Sequence, residues 1–142
     1  MTHYRQRLRE RVVELLKAAD IPGINERVYG SVFFAVRTLP LISVYVEAEQ
    51  LVKESGMYDR ALRVVVKVFV SAGEFAENDC DDYCAAIEAG LDLELGGMAN
   101  NGGLTEVRFE RSSEGSQEYM TAELAYEFRY ATAYHNPMIS TH

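Results

Sequence analysis

The chain has 142 residues, 48% hydrophobic and 25% charged, with a formal net charge of −8, the profile of a single globular domain with its own core. No apolar run reaches the ~20 residues of a membrane span, and the most apolar run, 62–72, is interrupted by Lys67. An acidic chain of this kind is excluded from wrapping nucleic acid, where affinity comes from basic surface neutralising phosphates.

The charge is uneven. Residues 1–72 carry +3 and residues 73–142 carry −11. Two arrangements account for this: the halves face each other within one subunit, or unlike surfaces meet head to tail between subunits, which closes into rings when the rotation permits. The first residues are basic with no apolar signal core behind them, which predicts a protein that is not exported.

Residues 3–19 predict an amphipathic helix, with Tyr4, Leu8, Val12, Leu15, Leu16 and Ala19 on one stripe. Arg5, Arg7, Arg9 and Arg11 flank or oppose it as a solvated basic face. "DIPG" at 20–23 ends the helix. Residues 26–36 read as a strand broken near Gly30, or as a hairpin bent there. A strand follows over Leu41–Glu47, with Ile42, Val44 and Val46 on one face and Ser43, Tyr45 and Glu47 on the other. Residues 48–58 are charged and lack Asn-Gly or Asp-Gly, the usual tip of a tight hairpin, so a loop built for contact is expected. The strongest strand is Arg60–Ser71, where Leu62, Val64, Val66, Val68 and Val70 form a complete period-2 face and Val65 and Phe69 add apolar surface opposite. That pattern predicts a central strand.

A second helix is expected over 79–91 from Cys80, Tyr83, Cys84, Ile87 and Leu91. Cys80 and Cys84 share its buried face as reduced thiols, poorly aimed for a bridge. Asp79, Asp81 and Asp82 crowd its start, as the helix dipole favours. "LGGMANNGGL" at 95–104 lacks the spacing of a phosphate-binding loop and reads as a connector. Two strands, 104–111 and 118–132, then form a hairpin, with Met120, Ala122, Leu124, Tyr126, Phe128 and Tyr130 inward and Thr121, Glu123, Glu127 and Arg129 outward. The expected fold is α+β: a mixed, mainly antiparallel sheet with two helices packed on one face and an additional β-hairpin. Residues 1–134 form its single domain and 135–142 a loose tail.

Catalytic patterns are missing. His3, His135 and His142 lie at the chain ends, whereas a triad or relay needs a buried, oriented imidazole. Zinc requires clustered Cys and His, and both cysteines sit on one helix with no histidine nearby in sequence. No spacing singles out a carboxylate pair. No enzyme activity, catalytic residue, metal or cofactor is therefore expected.

An N-terminal helix, "LPLISVYVEAEQ" at 39–50, a charged connection and "RALRVVVKVFVSA" at 60–72 together resemble the lambda-type phage tail terminator (minor tail protein U) family. "DDYCAAIEAGL" at 81–91 and the closing "AELAYEFRYATAY" at 122–134 add to the resemblance, which spans residues 5–132. It implies a non-catalytic structural protein made in the bacterial host cytoplasm, from a phage or prophage, and incorporated in the virion tail. Its partners would be itself, as a homo-hexameric ring, the major tail tube protein and the head–tail connector protein. The ring would cap the tube, stop its polymerisation and let DNA through its pore without specific binding. Under that reading Glu47, Glu49, Lys53, Glu54 and Tyr58 are the candidate subunit or tube interface. The alternatives are another neck or connector ring and a small-ligand-binding α+β dimer.

Overall fold

In a computed structural model of the chain, residues 2–31, 38–114 and 117–141 are described. The first helix, α1, spans Tyr4–Ala18 and buries Tyr4, Leu8, Val12 and Leu16. Four residues spaced by four drift slowly around a helix and so form one seam. His3 caps it: Nδ1 accepts the Arg5 N–H at 2.9 Å, occupying one of the donors left free at a helix start. The helix stops where Asp20 turns to a positive φ of 49° ahead of Pro22 and Gly23.

Among the described residues five strands form one sheet: β1 (Val28–Tyr29), β2 (Leu41–Glu54), β3 (Met57–Ser71), β4 (Asn100–Glu114) and β5 (Gln117–Ala133). Their order is β1-β2-β3-β5-β4. Among the described residues only β1 with β2 is parallel; every other pair is antiparallel. The expected central strand is β3, which pairs along its length with β2 and β5. The closing hairpin, β4–β5, is part of the same sheet. Of the 26–36 stretch, Val28 and Tyr29 form β1 beside Ile42 and Ser43, and the rest from 32 lies outside the described residues.

The second helix, α2, spans Ala76–Gly90. It starts three residues earlier than expected, so Glu77 and Asp79 occupy its first turn and Asp81 and Asp82 lie beyond it, exposed. The core fills the space between α1, α2 and one face of the sheet. Leu62, Val64, Val66, Val68 and Val70 of β3 and Ala122, Leu124, Tyr126, Phe128 and Tyr130 of β5 line that face. Cys80 and Cys84 are buried and unbridged, and burial pushes both thiols up to about 11. A smaller cluster on the other face joins Leu41 and Phe69, with Leu39 and Tyr119 against it.

Two sequence expectations are corrected. The 48–58 stretch is not a loop: it is the outer half of β2, a two-residue turn and the start of β3. Ser55 and Gly56 make that turn with φ of 49° and 82°, the left-handed pair that joins twisted strands tightly, so Ser-Gly does what Asn-Gly usually does. The 95–104 stretch is only half connector. After a 3-10 turn at Leu95–Gly97, Asn100–Leu104 belong to β4. Gly102 is required there, because a Cβ would lie 1.9 Å from the Leu93 carbonyl oxygen. In the stretch read as a tail, Pro137 O accepts the Tyr4 N–H at 2.9 Å, and the Thr141 N–H donates to Ala131 O at 2.7 Å.

Candidate functional site: the outer end of the β2–β3 hairpin

Glu47 and Glu49 are two residues apart on β2, so strict alternation would put both on the same face as Ser43 and Tyr45. The pairing differs. Val46 faces Val64 and Ala48 faces Arg63, which leaves Glu47 as the extra residue of a β-bulge. A bulge shifts the parity of everything beyond it. Glu49 therefore faces Leu62 and Leu51 faces Arg60, which turns both toward the helix side of the sheet.

There the Glu49 carboxylate is fully used. Oε1 accepts from Arg60 at 2.7 Å and from Arg5 of α1 at 2.8 Å, and Oε2 accepts from the Tyr130 hydroxyl at 2.6 Å. The side chain is 5% exposed, and that of Arg60 8%. Arg60 also donates from Nε to Thr132 at 2.9 Å, and its guanidinium lies over the rings of Tyr58 and Tyr130. Burial and the bond to Glu49 hold the Tyr130 hydroxyl well above its ordinary range, so it remains a donor. Burial, then Arg5 and Arg60, push His3 below the ordinary histidine value, keeping Nδ1 free to cap α1. Buried charges are tolerated when paired and hydrogen-bonded throughout, and this cluster meets that condition. Its arrangement clamps the start of α1 onto β2, β3 and β5; with both carboxylate oxygens occupied, Glu49 is poorly placed to accept a proton from a substrate.

On the opposite face a second set of charges is open to solvent. Glu47 pairs with Arg63 at 3.0 Å, Arg63 with Glu106 at 3.3 Å, and Glu106 with Arg108 at 2.6 Å. Lys67 and Glu123 add a pair at 3.2 Å. The row crosses β2, β3, β5 and β4, binding the strands weakly through screened contacts. Beyond Glu49 the whole of β2 is exposed, including Leu51 at 51% and Val52 at 61%.

The five candidate interface residues thus divide. Lys53 and Glu54 are exposed near the turn, and Glu47 is half-exposed at the bulge. Tyr58 packs against Tyr134, the rings tilted by 48° with centroids 4.8 Å apart. Glu49 belongs to the folded subunit. Its partners Arg5, Arg60 and Tyr130 went unnoticed in the sequence. The one available signal was the charge of Arg60 at the inward parity of β3, where a lone cation implies a buried anion.

The glycine-rich stretch binds its own anion: Asp92 accepts from the N–H groups of Glu94 and Gly96 at 3.0 and 2.9 Å. Those bonds hold the Asp92 carboxyl below its ordinary value. Among the described residues no group of three His, Cys, Asp or Glu is arranged to hold a metal ion, and no helix is long and apolar enough to cross a membrane.

No protein-family model matches the chain, and no curated protein matches it in sequence. A solved structure does match in fold: a chain of a "Virion of native gene transfer agent (GTA) particle", at a TM-score of 0.52 and 15% sequence identity. The match covers 87% of this chain and 94% of that one. Nearly the whole of both chains is superposed, so this chain shares the fold of a protein found in that virion.

Proposed function

We propose that the chain is a structural subunit of a phage-like virion, and that its place there is that of a tail terminator. Copies form a homo-hexameric ring that caps the tail tube, stops its polymerisation and presents the surface to which the head–tail connector joins. DNA crosses the ring without specific binding, consistent with an acidic subunit that repels the duplex. The subunit acts by assembly and not by catalysis, and uses no cofactor.

The observation that carries this reading is the fold shared with a gene transfer agent virion chain over 94% of that chain's length. The sequence resemblance to tail terminators supplies the more specific role. Native mass spectrometry with negative-stain imaging tests it, followed by addition of the protein to polymerising tail tubes. Six-fold rings and tubes of arrested length are expected. Twelve-fold rings that leave the tubes growing assign the chain to the connector, and a stable dimer removes the ring altogether.

A further inference from the structure

We propose that copies of this chain join edge to edge, the free edge of β4 on one copy pairing with the outer half of β2 on the next, with α2 of the first against α1 of the second. The inference deepens the ring reading above and rests on it only for the closure of the assembly.

Three independent observations meet at these edges. The first is unused backbone. Among the described residues β4 pairs with β5 on one side only, and no strand pairs with β2 beyond Ser43 on its outer side. Bulges interrupt β4 only at 100–106 and β2 only at 46–48, leaving 106–114 and 48–54 regular. A long, regular open edge is a template for another strand. These two edges lie at opposite sides of one sheet, so pairing one with the other is head to tail and leaves both free again on the outer copies.

The second observation is apolar surface where an edge would normally be guarded. Leu51 and Val52 on β2 and Val107 and Phe109 on β4 are exposed, Phe109 at 50%. The third is charge. α1 packs on β1 and β2, and α2 on β3 and β5. The β4 side of that layer is the acidic one: Glu77 of α2 lies 4.0 Å from Arg111 of β4, and the connection after α2 crosses β4 where the Leu93 carbonyl meets Gly102. α2 carries five acidic residues and no base, whereas α1 carries five bases and two acids. Continuing the sheet across the contact continues the helix layer too. That brings the flank of α2 bearing Glu77, Asp81 and Glu88 to the flank of α1 bearing Arg9, Val13 and Lys17, spaced by four on the side where Gly30 lies. Between copies, opposite charges face each other in the head-to-tail sense, whereas like edges meeting would place like charges together. A second copy is thus the occupant that both the backbone and the charges select.

The test uses the full chain and paired charge reversals. One variant carries Glu77→Lys, Asp81→Lys and Glu88→Lys; the other carries Arg9→Glu and Lys17→Glu. Circular dichroism and thermal unfolding first establish that each is folded. In sedimentation, parent protein is expected to assemble with rising concentration and each variant alone to stay monomeric. An equimolar mixture is expected to assemble again, in even-numbered species, since each reversed flank then meets a complementary one. A parent that stays monomeric at every concentration overturns the proposal, as does a variant that assembles like the parent or a mixture that stays apart.

A second measurement is independent of the reversals. Gln50→Cys is combined in turn with Arg108→Cys, Glu110→Cys and Ser112→Cys. The two positions lie on opposite edges of one subunit, too far apart for an internal bridge, and the native thiols are buried and inert. Oxidation is expected to give covalent oligomers from one of the three pairs; none from any pair overturns the proposal even where a reversal variant fails to fold. Six-fold rings that survive both reversals and form no cross-link remove this contact but keep the terminator reading. Cross-linked assemblies of another symmetry, or ones that leave tubes growing, do the reverse.

Discussion

Glu47 and Glu49 are the same residue type, two positions apart on one strand, and the fold treats them in opposite ways. Glu47 is 48% exposed and holds one arginine; Glu49 is 5% exposed and holds two arginines and a tyrosine. The difference comes from one backbone feature, the bulge that separates them. Water screens the outer pair and competes for each of its hydrogen bonds. Around Glu49 water offers little such compensation, so removing the carboxylate leaves Arg60 buried and without its anion. Proximity in sequence therefore says little about what a charge contributes; the parity of the strand decides it.

The contrast is broken most severely by Glu49→Ala. It leaves Arg60 buried without its anion, a loss of about 3–5 kcal/mol, and thermal unfolding is expected to fall by about 10 °C or more in calorimetry. Tyr130→Phe keeps both arginines paired and removes only the bond to Oε2. A hydrogen bond to a charged group contributes about 1.5–3 kcal/mol, so an intermediate loss in a urea titration is expected. Glu47→Ala is expected to cost about 0–1 kcal/mol, and a double-mutant cycle with Arg63→Ala to give a coupling within the same range. A Glu47 effect as large as that of Glu49 would show that the outer row is as dry as the inner cluster.

The smallest expected effect concerns His3. Its pKa is lowered in the folded chain, so the unfolded chain binds the proton first as acid is added. Stability from the neutral cap is full above the unfolded value of 6.5 and is lost as pH falls from there through the lower folded value. Amide exchange at Arg5 and Gln6 is expected to quicken over that window, while exchange in β3 changes far less. His3→Asn, which caps without titrating, is expected to flatten the profile.

How much of this was legible in the sequence follows the same logic. β3 and β5 announce themselves because Leu62–Val70 and Met120–Tyr130 keep one period throughout. Both helices do so through their buried stripes. The outer half of β2 was missed because the bulge breaks the period at Glu47 and the residues beyond it, Glu49, Lys53 and Glu54, are those of a solvated loop. The beginning of β4 was missed because Asn100–Gly103 are turn residues by composition, placed in a strand by the approach of Leu93 to Gly102. Glu49 itself was singled out, but as an exposed contact. Its burial depends on Arg5, 44 residues away, and Tyr130, 81 away, and no local pattern carries such distances.

The strand order has a consequence for how the molecule is made. β5 is synthesised after the other four strands of the sheet, yet it takes the place between β3 and β4. Until it has left the ribosome, the β2–β3 hairpin presents the bare edge of its most apolar strand, and β4 has no neighbour to pair with. Thr132 and Tyr130, which complete the cage around Arg60 and Glu49, also arrive in this last segment. The nascent chain therefore holds an incomplete sheet with unpaired charges until β5 has emerged, and folding is expected to be released as one event at that point rather than to advance along the chain. A message that stops short of β5 would yield a product with its interior edges exposed, a substrate for chaperones and proteases before it is a building block.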